Sequence, residues 1–301
     1  MEHKRERIGI IFTVLGGICW GFSGVCGQYL LQVKGLSAEW LVSVRLLSAG
    51  LILLTFSGFR VKSAIWDVWK NRRNSIQMLL FGIFGMAACQ YTYFAAVESS
   101  NAGTATVLQY TAPILIMGYM AICNRKVPTF IELSALVLAL GGTFILATQG
   151  NIQTLAISKE TLFFGFAAAI TVGLYNIMPK QLMESFDTIL VMGWGMIVGG
   201  VFLSVIVKPW HIVGIWDWQT VCALVAVIGI GTICAFVLYM EGVRLIGATK
   251  ASLFASVEPV TATIAAVVWM GAIFIPLDIV GLGLILGAVL LLSLNNGKYE
   301  E

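Results

Sequence analysis

Ten stretches of about twenty apolar residues, separated by short polar connections, make up most of this chain: 8–31, 38–57, 76–97, 102–122, 129–148, 161–180, 188–207, 219–240, 249–270 and 275–294. Within each run the apolar positions are consecutive. They lack the in/out alternation over about ten residues that marks a barrel strand. At 1.5 Å per residue such a run crosses the hydrocarbon core of a bilayer, and only a helix satisfies its own backbone groups over that depth. The pattern predicts an all-α integral membrane protein with ten transmembrane helices.

Composition sharpens this reading. Hydrophobic residues are 59% of the 301-residue chain and charged residues 11%, against about a quarter charged in a soluble domain. Ten spans leave connections too short for a folded soluble domain, so function has to sit within the membrane. The first run follows Lys4, Arg5 and Arg7 as the core of a signal peptide would. It is nevertheless long enough to span, and nine similar segments follow, so it is read as a retained helix. All six cysteines (Cys19, Cys26, Cys89, Cys123, Cys222, Cys234) lie in or at the ends of apolar runs, with no close pair at metal-ligand spacing. They are expected to be small packing residues.

Charge sets the sidedness. With the amino terminus cytoplasmic, the inside connections hold fourteen basic residues: Lys4, Arg5, Arg7, Arg60, Lys62, Lys70, Arg72, Arg73, Arg125, Lys126, Lys180, Arg244, Lys250 and Lys298. The outside connections hold three, Lys34, Lys159 and Lys208. The positive-inside rule therefore places both termini in the cytoplasm. The basic residues are dispersed over many loops and form no stripe, which argues against a nucleic-acid partner despite a formal charge of +3. Trp66 and Trp69 in the second connection, and Trp210, Trp216 and Trp218 in the seventh, are placed to anchor in the headgroup layers.

The chain also repeats itself. A shift of 146 positions brings Tyr93, Val97, Ala102, Ala105 and Pro113 onto Tyr239, Val243, Ala248, Ala251 and Pro259, and Gly141 onto Gly287. Each half has a short link between its third and fourth helices and a proline about halfway along the fourth. Two repeats are expected, 1–148 and 149–301. Five helices per repeat is an odd number, so the second copy is inverted in the membrane. Inverted repeats are the architecture of alternating-access carriers, in which two halves rock about a site at the midplane.

The chain resembles the drug/metabolite transporter superfamily in its ten-helix EamA-type branch. The resemblance rests on the 5+5 layout, the glycine-rich Gly16-Gly17-Ile18-Cys19-Trp20-Gly21-Phe22-Ser23, Arg45 in helix two, Ala95-Ala96-Val97 leading to Ala102-Gly103-Thr104-Ala105, Pro113 in helix four, and Ala248-Thr249-Lys250-Ala251 leading to Glu258-Pro259 in helix nine. It covers nearly the whole chain. It implies export or exchange of small metabolites, often amino acids, amines, nucleosides or sugar conjugates, across a bacterial inner membrane or an organelle membrane, without fixing the substrate. It implies no cofactor. Organophosphate exchangers of the wider superfamily use basic residues within helices six and nine; here Lys180 and Lys250 lie only at the membrane edges, which disfavours phosphorylated substrates.

Several residues are candidates to line a path. Thr106, Gln109, Tyr110 and Pro113 share one face of helix four. Proline leaves the carbonyl of Gln109 without its usual donor, so a kink is expected there, and Pro259 similarly frees the carbonyl of Ala255. The small residues Ala251, Ala255 and Ala262 beside Glu258 and Thr261 admit either a ligand or another helix. Glu258 falls near mid-bilayer, where an ionised carboxylate costs roughly 2.5 kcal/mol or more. It is expected to be neutral, paired or facing a wet cavity. Either it couples transport to protons or it caps backbone groups freed by Pro259.

Arg45 needs an acceptor, either the substrate's carboxylate, Glu258, or carbonyls at a broken helix, and is expected to serve a structural or gating contact. Its counterpart in the repeat falls near Trp194 and Gly195, so the charge is not mirrored. Aromatic and amide residues share faces elsewhere: Trp20 with Ser23, Gln90 with Tyr93, Thr171 with Tyr175 and Asn176, Thr232 with Tyr239. Glu132 and the pair Glu241 and Arg244 read as structural. Gly195 with Gly199, and Gly283 with Gly287, have the spacing of close helix contacts, serving either folding or self-association into a homodimer.

The expectation is a secondary transporter of a small organic metabolite, an amino acid or similar amphipathic compound, driven by protons or by the solute's own gradient. A passive channel is the nearer rival, although Glu258 and Arg45 are single and make no rings of like charge. An intramembrane enzyme is disfavoured. His3 and His211 lie outside the spans, and neither HExxH nor GxSxG occurs, nor the GxxxxGK[ST] of a nucleotide-driven pump.

Overall fold

A computed structural model describes residues 2–100, 102–124, 127–154, 158–210 and 213–295. Asn101, Arg125, Lys126, His211 and Lys298, and the side chains of His3 and Lys62, lie outside what it describes. Among the described residues nine helices are long and apolar enough to cross a membrane: α1 (Lys4–Val33), α2 (Ala38–Arg60), α3 (Arg72–Glu98), α4 (Ala102–Cys123), α5 (Phe130–Thr148), α6 (Lys159–Ser185), α7 (Thr188–Val207), α8 (Trp218–Ile246) and α9 (Ala248–Met270). A further apolar helix, α10 (Pro276–Asn295), closes the bundle. Several of their starts are fixed by side-chain caps. Ser158 accepts from the Thr161 amide at 3.0 Å, Asp187 from Ile189 at 2.9 Å and Asp217 from Thr220 at 2.9 Å. Glu132, read as structural, completes a capping box with Thr129 at the start of α5.

Helix pairing carries the signature of two related halves. α2 packs on α7 and α5 on α10, each helix against its own counterpart. α1 packs on α8 and α9, and its counterpart α6 packs on α3 and α4. Irregularities repeat too. α3 has a π-helical stretch at Phe81–Ala87 and α8 has one at Gly229–Cys234, overlapping under the 146-residue shift. Both contain two glycines, whose lack of a side chain lowers the cost of leaving regular helix geometry. α4 breaks at Tyr110 and Thr111, and α9 tightens to a 3-10 turn at Ala255–Val257. These positions also correspond, each just ahead of its proline. The kink expected near Pro113 is thus a break in the helix.

Close packing explains the glycines. A Cβ on Gly21 would lie 2.3 Å from the carbonyl oxygen of Glu258, and one on Gly17 would lie 2.9 Å from that of Ala255, so α1 rests directly on the backbone of α9. Gly195 and Gly199 admit the π-helical stretch of α3 and serve folding, whereas Gly283 and Gly287 have no neighbour within 4 Å. The cysteines are all free. Cys26 and Cys89 are buried as expected, but Cys123, Cys222 and Cys234 face outward, where their apolar character suits lipid. The tryptophans do more than anchor. Trp66 and Trp69 close on Trp194 of α7 at 4.9 and 5.2 Å, and Trp216 meets Trp40 at 5.3 Å.

Candidate functional site

A central cavity lies between the two repeats, at mid-depth of the helices. Its wall is built from α1, α2, α3, α4, α6, α8 and α9. Of the residues singled out in the sequence, Trp20, Ser23, Arg45, Gln90, Tyr93, Gln109, Tyr110, Pro113, Tyr175, Asn176, Tyr239 and Glu258 line it. Thr106 and Pro259 line a second cavity with Gln28, Ala102, Ala147 and Ala266. Those residues lie toward the ends of α1, α4, α5 and α9 farthest from the termini, so the second cavity opens the bundle at that end. Gly24, Tyr93 and Glu258 belong to both walls and separate one space from the other.

One side of the central cavity is an aromatic box. The Trp20 ring lies 4.7 Å from Tyr239, 5.0 Å from Phe236 and 6.5 Å from Tyr175. Tyr175 in turn packs on Phe236 at 5.3 Å and Phe81 at 6.2 Å. The Tyr239 hydroxyl donates to Asn176 at 2.7 Å, and Asn176 donates to the carbonyl of Val172 at 2.8 Å, which fixes both side chains. Edge-to-face contacts of this kind make a rigid apolar wall with polar tips.

The cavity wall also holds two ionisable groups, Arg45 and Glu258. Arg45 is 2% exposed. Its Nε donates to the Thr232 hydroxyl at 2.9 Å and one terminal nitrogen to the carbonyl of Gly231 at 3.3 Å. Of the acceptors considered from the sequence, the protein thus supplies the carbonyl at a broken helix, because Gly231 sits in the π-helical stretch of α8. The guanidinium also lies 4.8 Å over the Phe94 ring. Among the described residues no carboxylate forms an ion pair with Arg45.

Glu258 stands beside the break in α9. The Tyr110 hydroxyl donates to the carbonyl of Ala255, the one Pro259 frees, at 2.9 Å, and reaches Glu258 Oε2 at 3.4 Å. The Ala255 carbonyl also accepts from the Glu258 amide in the 3-10 turn, and Tyr110, not the Glu258 carboxyl, is the side chain that bonds it. Tyr93 exchanges a hydrogen bond with Thr106 at 3.3 Å across the wall between the cavities.

Two pairings from the sequence come apart. Thr171 bonds Thr92 at 3.1 Å and joins α6 to α3, and Thr232 serves Arg45. Lining residues that sequence reasoning missed include Phe94, Val172, Phe236 and Ser252. Phe94 and Phe236 had a signal, since each lies within one turn of a polar residue already singled out, but apolar rings in an apolar helix carry no mark of which face they take.

At the ends of the bundle the halves are tied by polar contacts. Lys34 pairs with Asp217 at 2.5 Å, and Tyr29 donates to Gln219 at 2.9 Å, joining the first connection to the seventh. At the other end Lys250 pairs with Glu6 at 2.8 Å. Glu241 and Arg244 form the local ion pair expected, at 2.7 Å.

A family model described as the EamA-like transporter family matches residues 7–148 and 159–294. An uncharacterized inner membrane transporter of Salmonella typhimurium, YicL, is 36% identical over 292 residues, covering 97% of each chain. A probable terminal-alkyne amino-acid exporter of Streptantibioticus cattleyicolor is 25% identical over 230 residues, 75% of this chain and 76% of its own. A crystal structure of a protein 16% identical in sequence superposes with a TM-score of 0.77, covering 99% of both chains, which shows a shared fold.

Proposed function

This chain belongs to the EamA-like transporter family, and we propose that it is a secondary transporter that exports or exchanges a small organic metabolite by alternating access. The observation carrying this reading is the central cavity between the two repeats, which adjoins the second cavity and shares Gly24, Tyr93 and Glu258 with it. Aromatic walls with a few polar groups suit an amphipathic metabolite. An amino acid fits that description, and the Streptantibioticus relative is named for amino-acid export.

On this reading the protein sits in a bacterial inner membrane, as the Salmonella relative's name says of that protein, with both termini in the cytoplasm. The two halves rock so that the central cavity opens alternately to either side. The second cavity is its exterior route. Glu258 is the candidate for proton coupling, and Arg45 with Pro113 and Pro259 for the moving parts. The protein works as a monomer or as a homodimer.

The test begins with metabolite profiling of medium from overproducing cells, followed by liposome assays of the compounds that accumulate. A carrier gives saturable uptake that is accelerated by the same solute trapped inside. Flux that rises linearly with concentration and shows no counterflow would replace this reading with a passive channel.

A further inference from the structure

Three buried polar atoms on residues that line the central cavity have no partner in the protein: Arg45 Nη1, Gln90 Nε2 and the Tyr175 hydroxyl. Their residues are 2%, 4% and 1% exposed. Buried donors are rarely left unbonded, and a buried cation without a counter-charge is costlier still. Arg45 has spent its Nε and one N–H of its other terminal nitrogen on α8, which aims the guanidinium and leaves Nη1 without a partner. That guanidinium lies on Phe94, Gln90 is one helical turn before Phe94 on α3, and all three residues line the central cavity, which places the two free donors in one region of its wall. Depth agrees: Arg45 is seven residues from the start of α2, and Gln90 eight from the end of α3, at the same end of the bundle.

From this juxtaposition we infer that Arg45 Nη1 and Gln90 Nε2 form a carboxylate-binding subsite, so that the solute is a compound with one carboxylate and an apolar skeleton. The inference rests on the central cavity being the transport site. Two N–H donor groups, one charged, match in number the two oxygens of a carboxylate. The skeleton then lies against Trp20, Tyr175 and Phe236, with the Tyr175 hydroxyl left for a polar substituent. A doubly charged phosphate would find only one cation on this wall, since among the described lining residues Arg45 is the single basic side chain.

Four probes of one shape separate the charges: L-phenylalanine, 3-phenylpropionate, L-phenylalaninamide and 2-phenylethylamine, titrated calorimetrically against the purified full chain in nanodiscs. The two carboxylates are expected to bind and the amide and amine to bind at least about tenfold more weakly. Gln90→Leu, whose free nitrogen supports nothing in the fold, is expected to weaken 3-phenylpropionate about tenfold, the loss of one hydrogen bond to a charged group. Arg45→Gln is expected to abolish carboxylate binding, with thermal unfolding run alongside because Arg45 also holds α8.

Equal binding of all four probes, unchanged binding by Gln90→Leu, or no binding of any probe to folded protein would each overturn the subsite. None of these touches the transport reading. That reading stands or falls on solute leaving cells and on counterflow, whatever charge the solute carries.

Discussion

Arg45 and Glu258 show how one ionisable residue is tolerated inside an apolar bundle. At the helix centre either charge costs roughly 2.5 to 3.5 kcal/mol on insertion. Arg45 recovers part of that through Thr232, the Gly231 carbonyl and the Phe94 ring. Glu258 has less, a single 3.4 Å contact with Tyr110, whose hydroxyl is already engaged 2.9 Å from the Ala255 carbonyl. A carboxyl so lightly held, on the partition between two cavities, is suited to exchanging protons. In Glu258→Gln, counterflow or proton-driven export in liposomes is expected to lose its response to pH between about 5 and 8, the range in which such a coupled site has to work. A pH profile matching wild type would assign Glu258 to structure alone.

At the level of elements, both breaks lie just ahead of a proline that removes a donor, and in α9 a side chain from the opposite repeat reaches the carbonyl concerned. Tyr110 of α4 does this for Ala255 of α9, so the two broken helices are latched to each other across the repeat boundary. Pro259→Ala restores an amide able to reach the Ala255 carbonyl and competes with Tyr110. The expected result is a regular α9, stability in detergent changed by no more than about 1 kcal/mol, the worth of one hydrogen bond, and counterflow slowed several-fold. Unaltered counterflow would mean the break is not a moving part. The glycines of α1 bear on the same contact. Gly17 and Gly21 let that helix lie on the backbone of α9, so the latch has a rigid surface behind it.

For the molecule as a whole, the contacts between halves are sparse and polar at the ends and dense along the helices. The Lys34–Asp217 pair is the clearest end contact. The Lys34 ammonium, helped by the Thr220 amide and hydroxyl, holds the Asp217 carboxyl at about 2, below its ordinary 3.8. Asp217 in turn raises the Lys34 ammonium above its ordinary 10.5. A depressed carboxyl stabilises the paired state above its unfolded value and loses that effect as pH falls through the folded one; a raised amine does the converse at high pH. The contribution is therefore constant from about pH 4 to about pH 10, and vanishes as pH drops toward 2. Asp217→Asn keeps the helix cap and removes the charge. Its melting temperature is expected to lie below wild type at pH 7 and to converge with it on acidification, as thermal unfolding over a pH series would show. A constant difference down to pH 2 would rule the ion pair out as the cause.

Apolar run length, the positive-inside count, the 146-residue register and the paired prolines are all local or periodic features, so the sequence by itself determined ten helices and their doubling. The two cavities, by contrast, were decided by tertiary structure. An apolar helix looks alike on every face, so nothing in the chain showed that Phe94 would lie beneath Arg45, that Phe236 would join Trp20, or that Thr171 would turn away from the cavity. The partner of Arg45 was hidden for a related reason. Its acceptor is a backbone carbonyl exposed by a π-helical stretch, and that distortion arises where Gly231 meets Ser23 of α1, 208 positions earlier in the chain.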